Sequence, residues 1–421
     1  MQVLESHGKA PLRVRPWVIA VAVAAIIVIA LVVALTGGGG KARPGAHGSA
    51  RGGTGASGTP LRLVSSTPAP GAVNVASDAA IRVSFSTPVK LGTVKPILVP
   101  SVAGTWVRSS ASTLTYDLAA PLAPSTKEVV TVPGGGAGLR AIDGRTLRHA
   151  ASFTFTVASG DPARLQQLLA RLNYLPLSFT PSGKPSAPKD AAQVQAGNFA
   201  WKWPGLPTEL TSQWTQGSVD SITKAAIESF QNQNGLTVDG DAGPAVWTAL
   251  IQDAATGKVT TTPYVYVLVS KVLPESLTLY DNGTPQYSHI LVNTGTQGAD
   301  TVDGNFAVFE HVRYSEMKGT NPDGSKYDDP NVPYASYFNG GDALHGFIRS
   351  SYGSPQSNGC VEMAYVNAAL VWPLTPIGTL VTVEGPASPP LPPTTSSTST
   401  TTVPPASTTT TAPPSTTTAP G

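Results

Sequence analysis

The run Ser357-Asn358-Gly359-Cys360-Val361-Glu362-Met363 determines how the C-terminal part of the chain is interpreted, because it holds the only cysteine among 421 residues. A single thiol cannot form a disulfide within its own chain, so Cys360 serves either packing or chemistry. Gly359 lets another backbone approach closely, and the serine and asparagine of this turn are poor core formers. A thiolate is a nucleophile, and successive N–H groups at such a turn can stabilise an oxyanion. These features favour a nucleophilic cysteine over a buried apolar one.

A histidine that can accept the thiol proton lies fifteen positions upstream, in the pair His345-Gly346. A lone cysteine together with a histidine is the residue pair expected of a cysteine acyl-transfer site. His289 and His311 lie on predicted strands outside the motif, where surface or packing roles are expected. No two of these histidines and Cys360 have the close spacing of zinc ligands, so we predict neither a metal nor a cofactor.

The N-terminus predicts the compartment. Residues 17–35 are nineteen consecutive apolar residues without a charge, enough for one bilayer crossing. Signal-peptide apolar cores are shorter, which favours an uncleaved anchor, although Ala34 and Thr36 form a weak cleavage site. Lys9, Arg13 and Arg15 precede the span, which predicts a cytoplasmic segment at 1–16 and an extracytoplasmic remainder.

Composition excludes some partners and delimits the linkers. A net charge of +2 with 12% charged residues gives no electrostatic basis for nucleic-acid binding. Residues 36–59 are rich in glycine and predict a flexible stem. Residues 386–421 consist of Pro, Thr, Ser, Ala, Val, Leu and Gly and carry no charge, which predicts a disordered tail.

The first folded segment, 60–159, is predicted to be an all-β sandwich. Short runs with period-two alternation are separated by turn residues at regular spacing, at 80–85, 113–116, 129–132 and 152–157. The opening run 66–75 and the closing run Ser152-Phe153-Thr154-Phe155 resemble bacterial Ig-like domains of secreted proteins. No cluster of catalytic side chains occurs there, so we expect a spacer.

The second segment, 161–255, is predicted to be helical. Apolar residues recur at helical spacing on three stretches, and Gly235 and Pro244 mark an end and a start. The sequence 226–231, the turn 235–244 and Trp247-Thr248-Ala249-Leu250 resemble the three-helix peptidoglycan-binding domain. Residues 176–216 form an insertion between the first two helices. Asp239 and Asp241 are interpreted as turn formers rather than metal ligands.

The third segment, 263–385, is predicted to be mostly β. A continuous apolar strand at 264–270 is followed by a hairpin turn at Asp281-Asn282-Gly283. Residues 312–343 are dense in Tyr, Asn, Asp, Gly and Pro and are interpreted as a long loop. Because loops of this length in a compact domain are usually functional, we expect a lid over the cysteine.

Leu344-His345-Gly346 and Ser357-Asn358-Gly359-Cys360-Val361, in a β-rich domain behind a peptidoglycan-binding module, resemble the L,D-transpeptidases of bacterial cell walls. The resemblance covers 263–385. It implies that Cys360 is the nucleophile, His345 the base, and the Gly346 carbonyl the group that orients the histidine ring. It also implies an oxyanion and substrate site at Ser357, Asn358 and Gly359, with the N–H groups of Gly359 and Cys360 as donors.

Two positions depart from the family pattern. Many members carry histidine where Asn358 stands, and many carry arginine or asparagine where Glu362 stands, on the substrate side of the cleft. A negative charge at 362 therefore predicts an altered substrate preference.

The predicted whole is a multidomain protein: a transmembrane helix, an all-β Ig-like sandwich, a small α-helical peptidoglycan-binding domain and a mostly-β L,D-transpeptidase catalytic domain. The expected activity removes the terminal D-alanine of a tetrapeptide stem and cross-links stem peptides through a thioester on Cys360. An L,D-carboxypeptidase with the same site, or an inactive wall-binding scaffold, remains an alternative. The expected partners are peptidoglycan stem peptides and glycan, with the membrane contacted through one helix. The predicted location is the cell membrane, single-pass, with the catalytic domain facing the wall.

Overall fold

The computed structural model describes residues 59–183 and 187–387. The predicted cytoplasmic segment at 1–16, the anchor at 17–35 and nearly all of the stem and tail lie outside the described residues. Within the described residues, every helix is too short or too polar to cross a bilayer.

The first domain consists of seven strands in two antiparallel sheets. The strands are β1 Leu63–Thr67, β2 Ile81–Phe85, β3 Ile97–Val99, β4 Gly104–Ser110, β5 Thr113–Leu118, β6 Lys127–Val132 and β7 Ala151–Thr156. Their order is β1-β2-β5-β4 in one sheet and β3-β6-β7 in the other. Ile81, Val83 and Phe85 of β2 are buried at every second position, because alternate side chains of a strand face the same layer. Both sheets contribute to one apolar core, which confirms the predicted β-sandwich.

The second domain is built around three long helices. They are α1 Pro162–Arg171, α3 Ser221–Gln233 and α4 Pro244–Thr256. Asp161 caps α1 and Asp220 caps α3 by accepting backbone N–H groups of the first turn. Between α1 and α3 the insertion forms β8 Leu177–Pro181, a 3-10 turn Pro188–Asp190, β9 Gly197–Trp201 and the short α2 Thr208–Thr211.

The turn between α3 and α4 is shaped by its aspartates. Asp239 accepts hydrogen bonds from the Gln231 side chain at 2.6 Å and from the Asp241 backbone at 2.9 Å. The interpretation of Asp239 as a turn former is therefore confirmed.

The third domain contains two sheets that pack on a common core. Its strands are β10 Val265–Ser270, β11 Ser276–Asp281, β12 Thr284–Leu291, β13 Gly304–Ala307, β14 Glu310–Thr320, β15 Lys326–Asn339, β16 Asp342–Gly346, β17 Val361–Met363 and β18 Leu380–Glu384. The orders are β12-β11-β10-β18-β13 and β14-β15-β16-β17. One helix, α5 Tyr365–Val371, and a 3-10 turn Trp372–Leu374 follow β17. The mostly-β prediction is confirmed.

The predicted long loop at 312–343 is wrong. Most of this segment lies in β14 and β15, which pair as an antiparallel hairpin closed by a turn at 321–325. Many of its side chains are exposed or only partly buried. The apolar alternation that marks a half-buried strand is therefore weak in the sequence.

The second and third domains share a hydrophobic core. Tyr266 of β10 and Leu380 of β18 are buried in the same cluster as Leu169 and Phe230 of the helical domain. Such shared burial removes apolar surface of both domains from water, so the helical domain packs against the β12-β11-β10-β18-β13 sheet.

Candidate active site

Cys360 lies at the end of a tight turn, one residue before β17. Gly359 has a φ of +111°, and a Cβ added there would lie 2.3 Å from the Asp342 carboxylate. Both the backbone conformation and this close approach require glycine. The thiol is half-buried and lies 3.6 Å from the carbonyl oxygen of Gly341.

Ser357 holds this turn together. Its hydroxyl donates to the carbonyl of Cys360 at 2.6 Å and accepts the N–H of Gly359 at 3.2 Å. The Gly359 N–H, predicted as an oxyanion donor, is thus engaged by Ser357. An oxyanion bound at this position would share or replace that bond.

His345 comes from the neighbouring strand. β16 and β17 pair in parallel with Leu344 opposite Val361 and His345 opposite Glu362, so fifteen residues of sequence separation become adjacent strands. The His345 ring is 2% exposed, and its Nδ1 lies 3.1 Å from the Gly346 carbonyl. Because a carbonyl only accepts, Nδ1 carries the proton and Nε2 is left as an acceptor. This is the tautomer that a base requires.

The thiol and the imidazole line one cavity of about 250 Å³. Burial raises the pKa of the Cys360 thiol to about 12, and the Ala343 backbone N–H acts against this rise. Burial lowers the pKa of His345, and its bond to the Gly346 carbonyl opposes that shift. Both groups are therefore neutral at pH 7, so an attack by this thiol would require its proton to move.

Glu362 lines the same cavity and is paired with Arg349 within the protein. It is 4% exposed and accepts two hydrogen bonds from Arg349, from Nε and Nη2, each at 2.7 Å. Arg349 also stacks on Phe347, with its guanidinium 4.8 Å from the ring centroid, and that ring packs edge-on against His345. The charge that suggested an altered substrate contact is thus neutralised beside the histidine.

Asp342 adds a carboxylate to the same cavity. Its Oδ2 accepts the Asn339 side chain at 3.1 Å, and its Oδ1 lies against Gly359. Burial raises the pKa of Asp342 to about 6, with the Asn339 bond acting in the opposite direction. Its negative charge also contributes to the raised pKa of Cys360.

The β14–β15 hairpin forms one wall of the cavity. Side chains from both strands line it: Glu316, Met317, Lys318, Tyr327, Asp329 and Tyr337. At the hairpin tip, the side chain of Asn321 accepts a 2.7 Å hydrogen bond from Asn358. The hairpin and the turn that carries the thiol are therefore joined directly.

Three family models match the chain in sequence order. Residues 57–157 match the bacterial Ig-like domain, 209–250 the peptidoglycan binding domain and 264–383 the L,D-transpeptidase catalytic domain. The chain carries an L,D-transpeptidase catalytic domain. The predicted resemblances of all three segments, in this order, are confirmed.

Solved L,D-transpeptidase structures are similar to the chain. One from Mycobacterium smegmatis has 12% identity, covers 78% of this chain and 100% of its own, and gives a TM-score of 0.27. L,D-transpeptidase 3 from Mycobacterium tuberculosis with a faropenem-derived adduct has 12% identity. The match covers 77% of this chain and 98% of that protein's chain, with a TM-score of 0.27. The catalytic domain of the E. faecium L,D-transpeptidase has 24% identity. The match covers 28% of this chain and 96% of that domain's chain, with a TM-score of 0.26. No curated protein matches the chain.

Within the transpeptidase domain, the predicted site residues come together around one cavity. Cys360, His345 and Asn358 line it. Ser357 and Gly346 do not line the cavity, but Ser357 holds the turn before Cys360 and the Gly346 carbonyl holds the His345 ring. His289 lies exposed on β12 and His311 stacks on Trp372, and neither lines the cavity. In the described part of the chain, no group of three or more potential metal ligands occurs.

The sequence predicts that the segment 312–343 covers the cysteine, but it does not indicate Arg349 or Asp342 as parts of the site. The one available signal was Glu362, a charged residue in an otherwise apolar β17. A buried carboxylate requires a cationic partner, and Arg349 is the nearest arginine in the sequence.

Proposed function

We propose that this chain is a peptidoglycan L,D-transpeptidase that acts through a thioester on Cys360. The observation that carries the proposal is the cavity shared by the thiol and a buried histidine whose Nδ1 is held by the Gly346 carbonyl. The match of residues 264–383 to the catalytic-domain model supplies the reaction class.

In the first step, the Cys360 thiol transfers its proton to Nε2 of His345 as the sulfur attacks the carbonyl carbon between the third stem residue and the terminal D-alanine. The tetrahedral intermediate then expels the D-alanine amine, which takes the proton from His345. A sulfur–carbon bond has formed, a carbon–nitrogen bond has broken, and a thioester remains.

In the second step, an amine of a neighbouring stem peptide attacks the thioester. Its proton passes through His345 to the departing sulfur, which regenerates the thiol and leaves a new amide. No ATP is needed, because one amide is exchanged for another through a thioester. This suits a reaction outside the membrane.

The N–H of Cys360 and the turn at 357–359 are proposed to stabilise the oxyanion of each tetrahedral intermediate. Because the thiol is neutral at rest, this stabilisation and the proton transfer to His345 must act together. A water molecule in place of the amine would give the carboxypeptidase reaction.

Intact-mass analysis after incubation with a carbapenem tests the site. We expect a covalent adduct on the full chain and none on Cys360→Ala. Product analysis with a tetrapeptide stem, with and without an acceptor peptide, then separates cross-linking from hydrolysis. Absence of both adduct and turnover in a folded protein would contradict the proposal and favour the wall-binding scaffold.

We further propose that residues 17–35 anchor the protein in the cell membrane with the transpeptidase domain facing the wall. The uncharged apolar run and the basic residues before it support this orientation. Membrane fractionation of the full chain and of a chain lacking 1–35 tests it. Equal recovery of both chains in the soluble fraction would contradict the anchor.

A further inference from the structure

A second cavity, of about 730 Å³, lies where the Ig-like domain meets the helical domain. Its size falls within the range of ligand pockets, roughly 300–1,000 Å³. Small and apolar residues form much of the wall, among them Ala120, Pro121, Leu168 and Ile251. The cavity is separate from the one that holds Cys360, since the two share no lining residue.

Two arginines also line this cavity, and both come from α1. Arg164 and Arg171 are seven residues apart, so they lie on one face of the helix about two turns, or ~10 Å, from each other. Leu168, between them, lies on that face as well. The helix therefore presents two cationic side chains to the cavity on either side of an apolar one.

Arg164 is 4% exposed, which is unusual for an arginine. Its Nε donates to the Ala191 carbonyl at 2.9 Å and its Nη1 to the Gln167 side chain at 3.0 Å. The Nη2 group makes no hydrogen bond to any described residue. Part of the guanidinium fork thus holds the insertion, and part remains available to a ligand.

No carboxylate compensates this charge among the described residues, whose ion pairs include neither Arg164 nor Arg171. Burial, with a smaller contribution from Arg171, lowers the pKa of Arg164 to about 10, which leaves the group charged at neutral pH. A buried cation without a counter-charge is costly, and an anion in the cavity would remove that cost.

We propose that this cavity binds the terminal carboxylate of a peptidoglycan stem peptide. The planar fork of arginine matches a carboxylate in geometry, and the small apolar wall suits the methyl groups of alanine. A phosphate-bearing polymer would instead place charged and hydroxylated groups against that wall. The inference rests on the proposed function, which brings stem peptides to this chain.

Calorimetric titration of the full-length Cys360→Ala protein tests the site, with N-acetyl-D-alanyl-D-alanine as one probe and its C-terminal amide as the other. We expect the free acid to bind and the amide to bind at least about ten-fold more weakly, as loss of a charge-assisted hydrogen bond implies. Arg171→Gln and Arg164→Lys should each weaken the binding of the free acid by a similar factor. Arg108→Gln, an exposed arginine of the Ig-like domain, is the matched control and should have no effect.

Three results would overturn the inference: equal binding of acid and amide, undiminished binding by Arg171→Gln, or binding of inorganic phosphate as tight as that of the free acid. Because Arg171 is exposed, its variant should fold even if Arg164→Lys does not. Carbapenem acylation of an Arg171→Gln protein that retains Cys360 should equal that of the parent. Failure of the binding test alone therefore leaves the proposed transpeptidase activity intact.

Discussion

The side-chain amide of Asn358 donates a 2.7 Å hydrogen bond to the side-chain oxygen of Asn321, thirty-seven residues earlier in the chain. Asn358 belongs to the turn that carries the thiol, and Asn321 begins the turn at the tip of the β14–β15 hairpin. Asn321 is itself fixed by a hydrogen bond from its backbone to Ser325 at 2.8 Å. This contact couples the position of one cavity wall to that of Cys360.

Asn358→Ala should slow acylation by a carbapenem about five-fold, the equivalent of one net hydrogen bond of ~1 kcal/mol. Asn321→Ala should slow it equally, because either change removes the same contact. The double variant should be no slower than the single ones, which a double-mutant cycle of acylation rates measures. Additive effects would show that the two residues act separately.

His345→Ala should abolish acylation, whereas Asn358→His should retain most of it. Asn358 cannot take the thiol proton at neutral pH, and its contact is with the hairpin rather than with sulfur. Stopped-flow acylation rates of both variants decide the point. Near-parental rates for a folded His345→Ala protein would place the base elsewhere.

The pH dependence of acylation should reflect the neutral resting pair. Burial lowers the pKa of His345, so the base becomes protonated, and the rate falls, only as the pH drops below about 6.5. The thiol pKa is raised to about 12, so the rate should be level between pH 7 and 9. A rate that keeps rising ten-fold per pH unit through this interval would indicate a thiolate with an ordinary pKa instead.

The sequence identifies Cys360 and His345 as the candidate pair because the signal is local. A single cysteine preceded by glycine, and a His-Gly pair upstream, suffice to name Cys360 and His345. The Arg349–Glu362 pair depends on the course of the loop between β16 and β17, which no periodicity encodes. The hairpin was missed for a different reason, since its strands are too exposed to show an apolar alternation.

The relation between domains was equally inaccessible from sequence. Tyr266 and Leu380 lie on apolar strands, as their neighbours in sequence predict. Which partner covers them depends on the packing of the helical domain against the sheet. Continuous apolar strands indicate burial on both faces without identifying what lies on each.

Glu362→Gln should destabilise the protein by about 3 kcal/mol, because it leaves the part-buried Arg349 guanidinium without its counter-charge. Arg349→Met combined with Glu362→Gln should recover part of this loss, since no unpaired charge remains. Urea unfolding followed by tryptophan fluorescence measures both. Lys318→Met, which breaks exposed ion pairs on the hairpin, is the control and should lower the free energy of unfolding by less than about 1 kcal/mol. An equal loss for Glu362→Gln and the control would contradict the burial argument.

Gly378→Ala should destabilise the contact between the helical and transpeptidase domains. Gly378 has a φ of +86°, and an added Cβ would lie 2.5 Å from the backbone nitrogen of Ser229 in α3. Gly144 has the same φ of +86° with nothing within 4 Å, so Gly144→Ala isolates the cost of the left-handed backbone, roughly 1 kcal/mol. Gly378→Ala should cost about 1–3 kcal/mol beyond that, because neither backbone can give way easily. Scanning calorimetry of both variants measures the difference, and equal shifts in Tm would show that the contact between the two domains contributes nothing to stability.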